Sequence, residues 1–174
     1  MSATRFVTLG LIILAACSFS LAQSPSLSLP QVHLDADGLS PRSIEELTGT
    51  TIAKNYAKAW HDMALALDSS RSGEIGEEFT GFAKDRLVKR IGDQQQTGVH
   101  IHIVDHGHRL KAIFYATDGT VMQLVDEAQL EMQTFDGEKL IDTQSAPRQY
   151  MVLMTPGADR WYVRDLEEVS VPSR

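Results

Sequence analysis

The spacing of apolar residues changes once along the chain, and the change divides it into helices and sheet. Ile52, Tyr56, Ala59, Met63 and Ala66 recur at spacings of four and three, and Trp60 and Leu67 widen the same stripe. That period predicts an amphipathic helix running to about Leu67. Ser43-Ile44-Glu45-Glu46 reads as the capping box that opens it, and Asp68 to Gly73 (DSSRSG) closes it. A second stripe of Ile75, Phe79, Phe82, Ala83, Leu87 and Ile91 predicts a helix from about Glu74 to Ile91, with Gly92 as its C-cap. Lys84, Arg86, Lys89 and Arg90 cluster in its second half, as on a solvated face that suits the helix dipole.

After Gly98 the period falls to two. Asp118-Gly119 and Asp136-Gly137 are hairpin signals, and Thr155 to Asp159 marks a wider turn. The expected result is a meander of four antiparallel strands, at about 99–117, 120–135, 138–154 and 160–169. The first three are longer than usual, so the sheet must bend, with Gly107 and Pro147 as the expected places. A two-residue loop at Asp118-Gly119 fixes a register in which Ile113 faces Leu124, Tyr115 faces Met122, His106 faces Glu131 and Lys111 faces Asp126. Odd positions of the first strand then share an apolar face with even positions of the second. Ile101, Ile103, Ile113, Tyr115, Met122, Leu124, Ala128, Leu130 and Met132 would lie under the helices. His100, His102, His106 and His108 would face water.

Four charged residues, Asp105, Arg109, Lys111 and Asp126, fall on the apolar face in this register. Buried charge is costly unless paired. They therefore mark a salt-bridged rim or a polar-lined pocket, in which a desolvated Asp126 or Asp105 would serve as a general base. Tyr56, Trp60 and Tyr115 would line that pocket or simply pack the core. If Tyr56, Trp60 and Met122 plug it, the enzymatic reading fails. A bulge at Asp105–Gly107 would slip the phase by one residue. It would turn His108 inward beside Leu110, Ala112 and Phe114, an equally apolar set. Because that stretch is apolar on both faces, a homodimer through the sheet face is a further expectation.

The four clustered histidines do not form a metal site as a group. At about 3.3 Å per residue, His100 and His108 lie roughly 26 Å apart. No cofactor is expected, because the chain has no glycine-rich phosphate loop and no Gly-x-Ser-x-Gly elbow. Asp35-Ala36-Asp37-Gly38 looks like the start of a calcium loop but lacks its later ligands, and reads as a turn.

The acidic balance, 16 Lys+Arg against 23 Asp+Glu, disfavours nucleic acid as a partner. The first 22 residues read as an export signal, with Arg5 ahead of the apolar run Phe6–Ala16 and Ser20-Leu21-Ala22 placing cleavage before Gln23. Leu14-Ala15-Ala16-Cys17 offers a competing lipobox ending, with Cys17 lipidated. Only that ending would bring the protein to a membrane. Either way the domain is extracytoplasmic, periplasmic or secreted, and the mass of the mature N-terminus separates the two endings. Removing Arg5 from the 16 basic residues leaves 15 against 23 acidic ones, a net charge of −8. Residues 23–42 (QSPSLSLPQVHLDADGLSPR) read as a Ser/Pro-rich linker, an extended tether.

Helices followed by a long curved antiparallel meander, with Arg160-Trp-Tyr-Val-Arg164 leading the last strand, resemble the nuclear transport factor 2-like superfamily over about Ser43 to Val169. The helix-to-sheet junction also resembles a C-terminal domain shared by a mitochondrial import-motor subunit and a chloroplast-division protein. The resemblance implies a cone-shaped α+β fold. It also implies either a non-catalytic partner-binding domain or an enzyme like the ketosteroid isomerases, with acids inside the cone. The sequence thus supports one α+β domain over residues 43–170, N-terminal helices on a strongly bent four-stranded antiparallel sheet. Its first functional reading is an exported non-enzymatic module holding a protein partner or an apolar small ligand. The alternative is a cofactor-free isomerase or lyase using Asp126 or Asp105.

Overall fold

The computed structural model describes residues 28–169. The proposed signal peptide, its cleavage site and Cys17 lie outside the described residues. Two helices, α1 (Glu46–Ser69) and α2 (Gly81–Thr97), pack on one face of a five-stranded mixed sheet. The strands are β1 (Val32–Asp35), β2 (Val99–Tyr115), β3 (Met122–Asp136), β4 (Lys139–Pro156) and β5 (Trp161–Val169), in that spatial order. The fold is α+β as expected, and the antiparallel meander is β2 to β5.

The expectation of four strands is corrected by β1. It lies in the segment read as a tether and pairs in parallel with β2, Val32 opposite His108 and Asp35 opposite Lys111. Parallel neighbours need a long crossover, which α1 and α2 supply. Leu34 packs toward Ile44 and Gly49 at the start of α1, so the short strand is anchored from the helix side too. The Asp35–Gly38 segment is the turn expected, with Asp37 N–H donating to Asp35 Oδ1 at 2.9 Å.

The helix limits also shift. The cap of α1 is Glu45, which makes no side-chain capping bond, so the Ser43 capping box does not form. The helix α2 starts seven residues after the expected Glu74, because residues 72–74 form a 3₁₀ turn and Phe79 bridges to Val163 in β5. There Thr80 N–H donates to the Val163 carbonyl and Val163 N–H to the Glu78 carbonyl, at 3.0 and 2.8 Å. At its other end α2 runs past Gly92 to Gly98, whose φ of 73° and N–H bond to Gln94 O make it the C-cap. The apolar stripe of α1 supplies Ile52, Tyr56, Ala59, Trp60, Met63, Ala66 and Leu67 to the core, and that of α2 supplies Ala83, Leu87 and Ile91. Among the described residues, no helix is long and apolar enough to cross a membrane.

Two irregularities in β2 decide which residues face the helices. The β2–β3 register shifts between Asp105 and His108 and again between Ala112 and Phe114. Outside them the expected parity holds, with Ile103 and Tyr115 buried. Between them it inverts. His108, Leu110 and Ala112 point inward, while Arg109, Lys111 and Ile113 point out. Val104 faces Glu131, Leu110 faces Asp126 and Lys111 faces Val125, so neither the His106–Glu131 nor the Lys111–Asp126 pair exists. Phe114 is returned to the outer face by the second shift and is 41% exposed. On β3 the even set from Met122 to Leu130 is buried, as expected.

The first irregularity depends on Gly107, at φ 119°. A Cβ there would meet the Gln31 carbonyl oxygen at 3.3 Å, the same oxygen that accepts His108 N–H at 2.9 Å. Gly107→Ala is therefore expected to cost about 1–3 kcal/mol from backbone strain and crowding. Chemical denaturation checks this, and a change within about 0.5 kcal/mol would contradict it.

Candidate functional site: a buried carboxylate–imidazole relay and the adjoining cavity

The bulge in β2 brings together groups that a regular strand would place on opposite faces. Asp105 Oδ1 accepts the Gly107 N–H at 2.8 Å, which fixes the carboxylate against the bulge. Its Oδ2 lies 2.8 Å from His108 Nε2. The other ring nitrogen, His108 Nδ1, lies 2.7 Å from Asp126 Oδ2 on the neighbouring strand β3. Tyr56 Oη, from α1, donates to the same Asp126 oxygen at 2.8 Å. Asp105, His108, Asp126 and Tyr56 thus form one chain of hydrogen bonds tying β2, β3 and α1 together.

A ring nitrogen bonded to a carboxylate must carry a proton, so two such bonds require the imidazolium. Burial pulls the His108 pKa down, and hydrogen bonds and charge from Asp105 and Asp126 outweigh it, raising it to about 9. The Tyr56 hydroxyl is pushed well above the ordinary phenol range, first by burial and then by the charge of Asp126. Aromatic rings close the surroundings. Trp60 lies 4.5 Å from His108 between ring centroids, and Tyr56 meets His108 edge-on at 5.6 Å. A cation against the indole face adds to the pairing. The His108 and Asp126 side chains are both 0% exposed.

Beside this relay, under α2, is a cavity of about 300 Å³. Trp60, Met63, Phe79, Leu87, Ile103, Met132 and Leu166 give it apolar walls, and Arg86, Arg90, Tyr150, Glu167 and Glu168 stand around it. Trp60 belongs to both places: it lines the cavity and lies against His108. Tyr150 meets Trp60 edge-on at 5.2 Å. Its hydroxyl is pushed up to about 12 by burial and by the charge of Glu168.

Of the residues singled out from sequence, the structure brings Tyr56, Trp60, Asp105 and Asp126 together. Arg109 and Lys111 are not with them. Contrary to the expected register, both face outward, where they line a polar groove with His33, Asp35, Asp37 and Glu127. Tyr115 is buried elsewhere, edge-on to Trp161 at 6.0 Å and under the Arg42 guanidinium at 5.0 Å. His108, assigned to the wet face, is the residue that the register misplaced. Its sequence signals were the Asp105–Gly107 stretch, where a bulge would slip the phase, and the apolar set Leu110, Ala112 and Phe114 that shares its parity. The other three clustered histidines are scattered. His100 stacks on Phe135, His102 lies 3.2 Å from Asp68, and His106 is exposed. Among the described residues no group of three or more His, Cys, Asp or Glu side chains is placed to hold a metal ion.

No protein-family model matches the chain, and no curated protein sequence matches it. Among solved structures, the intermembrane space region of chloroplast protein ARC6 superposes with a TM-score of 0.61 at 14% identity, over 75% of this chain and 100% of that one. A structure from Catenulispora acidiphila in complex with S-DNPA gives a TM-score of 0.47 at 12% identity, over 71% of this chain and 93% of that one. A second structure from the same organism gives 0.42 at 13% identity, over 68% and 89%. The similarity to the ARC6 region is one of fold.

Proposed function

We propose that the chain is an exported, non-enzymatic binding module of the nuclear transport factor 2-like kind, holding an apolar small ligand in the cavity under α2. The observation that carries this reading is the cavity itself, walled by apolar side chains from both helices and three strands. Its size is at the lower end of the range for small-molecule sites, about 300–1,000 Å³. Likeness of fold to a region of ARC6 that lies in an intermembrane space is consistent with an extracytoplasmic domain.

The acid–base alternative has the right residue types, but they are already engaged with one another. Both ring nitrogens of His108 are engaged by carboxylates, and its side chain is wholly buried. Asp126 Oδ2 already receives two hydrogen bonds. Tyr56 and Trp60 are both buried and lie against the His108 ring; Met122 is buried too, opposite Tyr115 and Met154. A general base must come within hydrogen-bond reach of its proton. His108 and Asp126 are wholly buried, and Asp105, 15% exposed, has one oxygen held by the Gly107 N–H and the other by His108. The relay therefore serves to lock α1 onto the sheet.

Fluorescence titration with the neutral dye N-phenylnaphthylamine tests the binding reading. Saturable binding at one site is expected. Met132→Trp, at a half-buried position on the cavity wall, should abolish it while the circular dichroism spectrum is retained. An absence of binding, or equal binding by the variant, would refute the proposal.

A further inference from the structure

The charges around the cavity name the class of ligand, an inference that rests on the ligand-holding reading above. Two of the three acids near the mouth already have their own arginine. Asp165 is ion-paired with Arg86, which also donates to the Leu166 carbonyl. Glu168 is bound by Arg148 at 2.7 Å. Glu167 also stands at the cavity's edge, opposite Met151 in the β4–β5 ladder, and among the described residues it makes no ion pair with either Arg86 or Arg90. Arg90 is then the cation left over. It lines the cavity from α2, and among the described residues it makes no ion pair and no side-chain hydrogen bond. Tyr150 lines the same cavity, and its hydroxyl has no hydrogen-bond partner among the described residues.

An apolar chamber with one uncompensated guanidinium and one unused hydroxyl at its edge is complementary to a molecule with an apolar body and a single anionic head. We infer that the cavity takes an amphipathic monoanion, a carboxylic acid with an aliphatic tail, whose head is paired by Arg90 and accepts a hydrogen bond from Tyr150. Guanidinium matches carboxylate geometry through paired N–H donors, and burying the tail supplies the rest of the affinity. A neutral tail would fill the chamber but leave Arg90 unmatched. A cationic head would be repelled by it.

Isothermal titration calorimetry with decanoate, decanol and decylammonium tests the inference on the whole protein. Decanoate should bind about tenfold or more tightly than decanol. Arg90→Gln should remove most of that preference while leaving decanol binding unchanged, and raised salt should weaken decanoate alone. Arg90 is exposed on α2, so its replacement leaves the core intact. Tyr150→Phe gives an independent, smaller loss for decanoate. Equal affinity for decanoate and decanol, equal or tighter binding of decylammonium, or an unchanged preference in Arg90→Gln each overturn the anionic head and leave the ligand-holding reading standing. Failure of all three probes to bind overturns both.

Discussion

His108→Ala will destabilise the protein by about 3–5 kcal/mol, read as a lower urea midpoint at an unchanged slope. The cost comes from what the imidazole leaves behind more than from the ring itself. Asp126 is 0% exposed, and its Oδ1 has no partner among the described residues. Without His108 its charge would rest on one hydrogen bond from Tyr56. The space vacated beside Trp60 adds a cavity term. Pairing His108→Ala with Asp126→Leu should recover part of the loss, because the double change removes the stranded carboxylate. A single-variant loss below about 1 kcal/mol would show that the relay does not hold α1 to the sheet.

The same residue sets a pH dependence with a definite sign. His108 has a folded pKa of about 9 against an ordinary value of 6.5, so the folded state holds its proton more tightly. The resulting stabilisation is fully present below about pH 6.5 and is lost as pH rises through about 9. Its size is about 3 kcal/mol. Lysines and tyrosines titrate at the alkaline end too, so the quantity to follow is the stability of the natural protein minus that of His108→Gln. That difference should be flat below pH 6.5, fall toward pH 9 and level off above it. A difference that grows with pH would rule out a protonated His108 between two carboxylates.

The parts of this fold that the sequence discloses are those set by local chemistry. Alternating apolar residues and the Asp-Gly turns locate β2 to β5 closely, and the period of α1 identifies every residue it buries but Ala57. The strand β1 gives no such signal. Val32 to Asp35 is short, sits in Ser/Pro-rich surroundings and is held by pairing with β2, which lies beyond both helices in sequence. That omission explains the misplaced site residues. The phase of β2 turns on Gly107, whose backbone is shaped by the Gln31 carbonyl at the start of β1. From Leu110 to Phe114 the even set is apolar, and near the hairpin Ile113 and Tyr115 make the odd set apolar too, so a phase carried back from the turn puts the charged Arg109 and Lys111 inward. The two register shifts together moved Arg109 and Lys111 out and His108 in. Asp105 and Asp126 were conspicuous as charges among apolar neighbours, and they did come together. The imidazolium that joins them required the bulge.

Trp60→Ala is expected to cost about 3–5 kcal/mol and, beyond the lost packing, to join two compartments that are now separate. The indole lies against His108 on one side and lines the cavity under α2 on the other. It also meets the rings of Tyr56 and Tyr150 at 6.3 and 5.2 Å. With the indole gone, water entering through the cavity would reach both ring nitrogens of His108. The two imidazolium N–H protons should be resolved in the proton NMR spectrum of the natural protein at neutral pH, because buried bonds to carboxylates slow their exchange. In Trp60→Ala they should broaden or disappear. Trp60→Phe keeps most of the wall and should keep them. Persistence of both signals in the alanine variant would mean that other side chains seal the relay. The indole would then not be what bars a ligand in the cavity from His108.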